Sequence, residues 1–240
     1  MRILIAPDKF KGSLTAKQVC DAVATGISRT IPHAECISFP LADGGDGTAE
    51  ILTFHSGGRM VTATARDPLL RPIKARYGLS PDSATAFIEM ADASGLRILK
   101  PSEHDVMKAT TAGTGDLIKD AIGNGARTII LGIGGSATND GATGAAQALG
   151  FTFIDQDGQS FLPTGESLKR ISRIDRSGVL RELSEVNFIA VCDVDNPFTG
   201  DRGAAAVYAP QKGASSDQVA ELESGLRHVA WLFKTELGKE

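Results

Sequence analysis

Thr128-Ile129-Ile130-Leu131-Gly132-Ile133-Gly134-Gly135-Ser136-Ala137-Thr138-Asn139-Asp140-Gly141 is the stretch that decides the fold of this chain. Its first six residues are mostly apolar and β-branched, and they read as a strand. A glycine turn follows, then a run of small residues, 142–149, with a helical pattern. Strand, glycine turn and helix in that order predict an α/β fold. They also predict backbone N–H groups at a helix N-terminus, where an anion can sit. Glycines let the main chain approach a phosphate closely. Asn139 and Asp140 add side-chain oxygens at the same place. A second reading is a dinucleotide turn: Gly132, Gly134 and Ala137 satisfy G-x-G-x-x-A after a strand, and Asp155 lies about 20 residues on. A tight turn whose glycines serve packing alone is the plainest alternative. Asn139 and Asp140 favour a site that also handles a cation or a hydroxyl, which a dinucleotide turn does not require.

Working outward, the N-terminal residues 2–6 read as an opening strand, too short and too soon interrupted by Pro7 for a signal peptide. A helix is expected from about Thr15, capped by Ser13 or Thr15, with Val19, Val23 and Ile27 on one face. Residues 34–39 read as a second strand, and Ala42-Asp43-Gly44-Gly45-Asp46-Gly47-Thr48 opens a short helix closed by Gly57-Gly58. The texture then changes. Residues 59–66, 73–79 and 84–90 look like strands with little helix between them, a meander that suggests an antiparallel insertion or a second domain. Leu117, Ile118, Ala121 and Ile122 form a helical stripe ahead of the central strand. Asp155-Gln156-Asp157-Gly158 reads as a hairpin turn. Residues 186–191 read as a strand leading into Cys192-Asp193-Val194-Asp195-Asn196-Pro197. A last helix over 216–236 carries Val219, Leu222, Leu226, Val229, Ala230 and Phe233, an apolar stripe that needs something to pack on. The expected fold is therefore α/β. A Rossmann-like three-layer α/β/α domain begins with residues 1–58. A second, smaller α/β domain holds the meander within residues 59–240.

The chain has 240 residues, and its hydrophobic fraction of 42% supports a real core. A net charge of −4 argues against nucleic acid as the main partner, because phosphate backbones want a basic face. No apolar run approaches the ~20 residues of a membrane helix. The three cysteines, Cys20, Cys36 and Cys192, form no CxxC pair and fit reduced thiols in the cytoplasm. Four scattered histidines give no zinc-like cluster and no Ser-His-Asp set.

Several loops carry chemistry. Asp8, Lys9, Lys11 and Ser13 follow the first strand, where open α/β sheets bind ligands. The lysines can neutralise a carboxylate or phosphate, and Asp8 can orient a hydroxyl; a solvated loop with a helix cap is the alternative. Asp43-Gly44-Gly45-Asp46-Gly47 suits a hydroxyl-binding nest or a metal site, or simply a turn. Asp193, Asp195 and Asn196 suit Mg²⁺ or a general base, or surface turn acids before Pro197. Pro210-Gln211-Lys212-Gly213 can bring a phosphate-binding lysine. There is no Walker A sequence and no protein-kinase signature.

Taken together, five stretches resemble the bacterial glycerate kinase family, the group similar to the glycerate 2-kinases. They are Ile5-Ala6-Pro7-Asp8-Lys9-Phe10-Lys11-Gly12-Ser13-Leu14, Leu41 through Thr48, Gly132 through Gly141, Cys192 through Pro197, and Pro210-Gln211-Lys212-Gly213-Ala214. Lys9 stands where that pattern leads one to expect serine, Asp46 replaces a glutamate, and Ala142 replaces a glycine. The family's chains run on with further glycine-rich, nucleotide-site-like segments, so this chain is expected to lack a C-terminal third. The resemblance implies ATP-dependent phosphorylation of D-glycerate to phosphoglycerate, at the 2-hydroxyl, with Mg²⁺, in a cytoplasmic enzyme; homodimerisation is compatible with it. On that reading Lys11 meets the glycerate carboxylate, while Asp8, Ser13 and Asp43 bind the substrate. Gly134, Gly135, Ser136, Asn139 and Lys212 hold the nucleotide. Asp193 takes the hydroxyl proton and Asp195 binds the metal. Two rivals are a non-catalytic ligand-binding fragment of that family and a nicotinamide-dependent oxidoreductase using residues 132–137 and Asp155.

Overall fold

A computed structural model describes residues 1–10 and 12–238; Lys11 lies outside the described residues. The chain opens with β1 (Arg2–Ile5), α1 (Ala16–Thr30) and β2 (Glu35–Ser38). β1 and β2 pair in parallel, Arg2 opposite Glu35, which makes a βαβ unit with its own two-stranded sheet. Thr15, not Ser13, caps α1: the Gln18 N–H donates to Thr15 Oγ1 at 3.2 Å, and the Gln18 side chain accepts the Thr15 N–H at 2.9 Å. Val19 is buried, but Val23 on the same stripe is exposed and Ile27 only partly covered. On β1, Leu4 is 64% exposed.

α2 (Thr48–Ser56) leads into three strands, β3 (Arg59–Arg66), β4 (Pro72–Leu79) and β5 (Thr85–Glu89). Then come α3 (Ala91–Ser94), α4 (Ala112–Gly123), β6 (Thr128–Gly132) and α5 (Thr143–Ala148). The predicted meander is present, and it shares a sheet with parallel strands. β3, β4 and β5 run antiparallel, and β5 continues in parallel register with β6, which pairs in turn with β10 (Asn187–Val191), the last strand of the chain. The result is one mixed five-stranded sheet in the order β10-β6-β5-β4-β3.

Alternation along β5 shows why this sheet is covered on both faces. Ala86 and Ile88 join Leu117, Ile118, Ala121 and Ile122 of α4 in the main core, with Ala63, Ala75, Tyr77 and Ile129. Phe87 and Glu89 turn to the opposite face, where α2 packs: Glu89 accepts the Ala49 N–H at 2.8 Å, and Thr53 sits over Gly78 beside Phe87. That is a helix–sheet–helix sandwich built on alternate residues of one strand. The outer strand β10 is different. Its Phe188 and Ile189 are exposed.

A third sheet, β7 (Thr152–Ile154), β8 (Ser160–Phe161) and β9 (Arg173–Asp175), is antiparallel, and the expected hairpin turn joins β7 to β8. α6 (Ala204–Tyr208) and α7 (Ser216–Leu237) are the last helices among the described residues. The stripe on α7 has its partner: Leu222, Leu226, Val229 and Leu232 are buried with Phe153, Leu168, Ile171 and Ile174 in a second core.

Candidate functional site at the strand ends

β1 and β2 run parallel to each other, as do β5, β6 and β10, and a loop carrying chemistry leaves the carboxyl end of each. In α/β sheets that edge is where ligands bind. The loops meet through their backbones. A Cβ built on Gly44, whose φ is +90°, would lie 2.9 Å from the Val191 carbonyl oxygen at the end of β10. One built on Gly132 would lie 2.8 Å from the Gly44 carbonyl oxygen. Only glycine permits this approach, so the 43–47 loop is pressed against the ends of β6 and β10.

Charges line both sides of the seam. Lys9 Nζ donates to Asp43 Oδ1 at 2.8 Å and lies 3.8 Å from Asp8 Oδ1. Asp43 Oδ1 also accepts the Gly45 N–H at 2.9 Å. Partial burial of Lys9 works to lower its pKa, but the Asp43 hydrogen bond and the charges of Asp43, Asp8 and Asp46 outweigh it, and the pKa is raised. The Lys9 hydrogen bond, and then the Gly45 N–H, hold the Asp43 carboxyl below its ordinary value. Both predicted hydroxyl acceptors therefore share one cation. Across the seam Arg97 bridges Asp46 at 3.2 Å, Glu89 at 3.7 Å, and Asp92.

The glycine turn is anchored from inside. Asp140 is 1% exposed, and its Oδ2 accepts from the Thr111 N–H and hydroxyl, both at 2.8 Å, from the Gly144 N–H at 3.2 Å and from Thr110 Oγ1 at 3.3 Å. Its Oδ1 accepts the Ala142 N–H at 3.2 Å. At this helix N-terminus the chain's own carboxylate takes the Ala142 and Gly144 donors. Burial raises the Asp140 pKa, partly offset by the donors from Thr111 and the turn. Lys212 reaches the same turn from the 210–212 segment, donating to Ser136 Oγ at 2.8 Å and to the Thr138 carbonyl at 2.6 Å. Its burial lowers the ammonium pKa to about 8 against the pull of Asp140. Asn139 is buried, and its Oδ1 has no hydrogen-bond partner among the described residues.

Asp8, Asp43, Gly134, Gly135, Ser136, Asn139 and Lys212 thus fall along one continuous line of loops. The cavity nearest the first of them, about 520 Å³, is lined by Lys9, Ser13, Asp46, Arg97, Phe10 and Phe54 among others. Ser13 lines it on an exposed turn. Asp193 and Asp195 follow β10 into solvent; Asp195 is paired with Arg202 at 3.6 Å, and Asn196 is occupied holding the Arg202 carbonyl and the Tyr208 hydroxyl. Among the described residues no three His, Cys, Asp or Glu groups stand together as a metal cluster. Asp155 serves its hairpin turn, accepting the Asp157 and Gln159 N–H groups and pairing with Arg170. That leaves the acid of a dinucleotide reading engaged elsewhere. Sequence reasoning missed Glu89 and Arg97. The available signal was an acid at the very end of an apolar strand, Ala86-Phe87-Ile88-Glu89, with Arg97 a short turn beyond.

These features define an α/β protein with chemistry gathered at the carboxyl ends of its parallel strands. Residues 3–240 match the model of the glycerate kinase family, and the chain belongs to that family. A glycerate kinase from Halalkalibacterium halodurans is 44% identical over 99% of this chain and 63% of its own length. A glycerate 2-kinase from Escherichia coli K12 is 43% identical over 99% of this chain and 62% of its own. A crystal structure assigned to glycerate kinase 2 of Salmonella typhimurium LT2 superposes with a TM-score of 0.91 at 44% identity, covering all of this chain and 64% of that one. The chain therefore spans under two thirds of the length of these relatives. No helix among the described residues is long and apolar enough to cross a membrane.

Proposed function

We propose that this chain carries the substrate and phosphate loops of an ATP-dependent glycerate kinase that converts D-glycerate to 2-phosphoglycerate. The observation that supports this most is the meeting of loops 7–10, 41–48, 132–141, 191–192 and 210–213, distant in sequence, along one seam. Phosphoryl transfer asks a protein mainly for positioning and charge neutralisation. Asp43, held ionised by Lys9, and Asp8 beside it suit acceptance of the glycerate hydroxyls. Lys11 is assigned to the substrate carboxylate and Ser13 to the mouth of the cavity. Gly134, Gly135, Ser136, Asn139 and Lys212 are assigned to the nucleotide side. Asp193 is the proposed base: it takes the proton as the glycerate oxygen bonds to the γ-phosphorus and ADP leaves. Mg²⁺ commonly uses one or two carboxylates plus phosphate oxygens and water. Asp195, with Asp193 two residues before it, fits that modest demand. When bound there the ion would neutralise phosphate charge.

The reading extends to organisation. We place a boundary near residues 58/59, supported by the separate β1–β2 sheet, and we assign the chain to the cytoplasm. Release of ADP on adding D-glycerate tests the function, with NMR of the product separating the 2- from the 3-phosphate. A second reading, a ligand-binding portion without turnover, is favoured by the coverage of the relatives and by the bare Phe188 and Ile189 of β10. Calorimetric binding of glycerate with no ADP release would select it.

A further inference from the structure

Ser136 and Lys212 meet at 2.8 Å, and the second short bond from the same ammonium goes to the Thr138 carbonyl at 2.6 Å. Lys212 is 6% exposed, whereas Ser136 is only partly covered. An ammonium has three donors and no lone pair, and a hydroxyl has one hydrogen and two lone pairs. The polarity of the pair is therefore fixed. Lys212 donates, Ser136 accepts, and the hydrogen of Ser136 is not used on the lysine. This ammonium is buried, with two of its three donors on its own chain.

We propose that Lys212 is a positioning residue, whose buried ammonium occupies the acceptor side of Ser136 Oγ and so reserves the Ser136 hydrogen for a phosphate oxygen lying against the turn. This rests on the reading above that residues 134–136 carry the nucleotide. It differs in giving the contact to Ser136 and a supporting role to Lys212. Asp140, on the turn, is the charged group that acts on Lys212, and Thr110 and Thr111 bring it only hydroxyls and an amide. On the other side the His104 backbone lies beside Gly213, and Glu103, Asp105 and Lys108 line the same cavity as Gly213. Once the lysine loses its proton it can accept from Ser136. The hydroxyl hydrogen then turns inward, and the turn presents an oxygen to an oxygen.

The test is ATP affinity by titration calorimetry from about pH 7.5 to about pH 9.5 for the wild type, Ser136→Ala and Lys212→Arg. One hydrogen bond to a charged oxygen is worth about a tenfold change in affinity. The wild type should lose about that factor as the pH rises. Ser136→Ala should start weaker by the same factor and show no such fall; Lys212→Arg should bind with a flat profile. A Ser136→Ala variant that keeps the full pH dependence puts Lys212 on the phosphate itself and overturns the proposal. The pair is also tested without nucleotide, by following the Lys212 side-chain nitrogen by NMR in the ligand-free protein. Loss of the Ser136 acceptor should lower the lysine's titration midpoint, and an unmoved midpoint overturns the proposal. If Ser136→Ala lowers the midpoint while the wild type binds no ATP at any pH, the pair stands, its ligand role is overturned, and the nucleotide reading sinks separately.

Discussion

Replacing Asp140 by Asn tests whether the glycine turn is held from within. The carboxylate is buried and takes five donors from three places, the start of α4, the start of α5 and Thr110. An amide can put its oxygen where Oδ2 stands and keep four of them, now as neutral bonds of about half the strength. Its NH₂ then faces the Ala142 N–H, donor against donor, at a position where the oxygen–nitrogen distance is 3.2 Å. An unsatisfied buried donor costs about 1–3 kcal/mol. Lys212 also loses the nearby negative charge that supports its ammonium, which adds to the cost. Against this stands relief from burying a carboxylate, the desolvation that raises its pKa. The balance is a destabilisation of about 2 kcal/mol near neutral pH. Urea denaturation followed by far-ultraviolet circular dichroism, with wild type and variant compared at equal slope, measures it. A variant as stable as the wild type would refute the idea that this carboxylate ties α4, α5 and the turn together.

Three further outcomes are expected. Lys212 has a folded pKa of about 8, below its unfolded value of 10.5, so between those values the unfolded chain holds more protons and stability should rise with pH, by about 3 kcal/mol in total. Denaturation curves across that window should show the rise in the wild type and lose it in Lys212→Met; parallel profiles would mean the lysine is not desolvated. Gly78→Ala drives a methyl into Thr53 of α2 and against Phe87, and should cost about 2–3 kcal/mol in thermal or chemical denaturation; a neutral substitution would show that α2 does not seat so closely. Asp193→Asn should lower glycerate-dependent ADP release at least a hundredfold, on the order of a general base's usual contribution, while glycerate binding by calorimetry changes little; undiminished turnover removes Asp193 from the proton-transfer role.

Much of the fold was legible because it is local. The helix cap, left open between Ser13 and Thr15, the hairpin at 155–158 and the stripe on α7 are each written in a few neighbouring residues. What escaped is long-range. Nothing near Thr85 announces that β5 will pair with β6 and so join the meander to the parallel strands. The partners of the α7 stripe, Phe153 and Leu168, lie far upstream, and of the α1 stripe Val19 is buried, Ile27 partly covered and Val23 exposed. The candidate site shows the same division. Its loops could be placed together because glycine-rich runs after strands collect at one sheet edge. Their individual roles could not, since a carboxylate such as Asp140 is free to turn inward or outward, and only packing against Thr110 and Thr111 decides. Arg97 and Glu89 were passed over for the opposite reason: an acid ending an apolar strand is a faint signal until the 43–47 loop is laid across the strand ends.

The mixed sheet also implies two tempos of assembly. β3, β4 and β5 are consecutive in the chain and close through short turns, so their pairing costs little loop entropy and belongs early in folding. The pairings of β5 with β6 and of β6 with β10 each enclose a long excursion and must come late. The seam where Gly44 meets Gly132 and Val191 hangs on the late pairings alone. During refolding, strand signal from the early pairs should therefore run ahead of any competence to bind a nucleotide, and the interval between the two is a direct clock on the parallel half of the molecule.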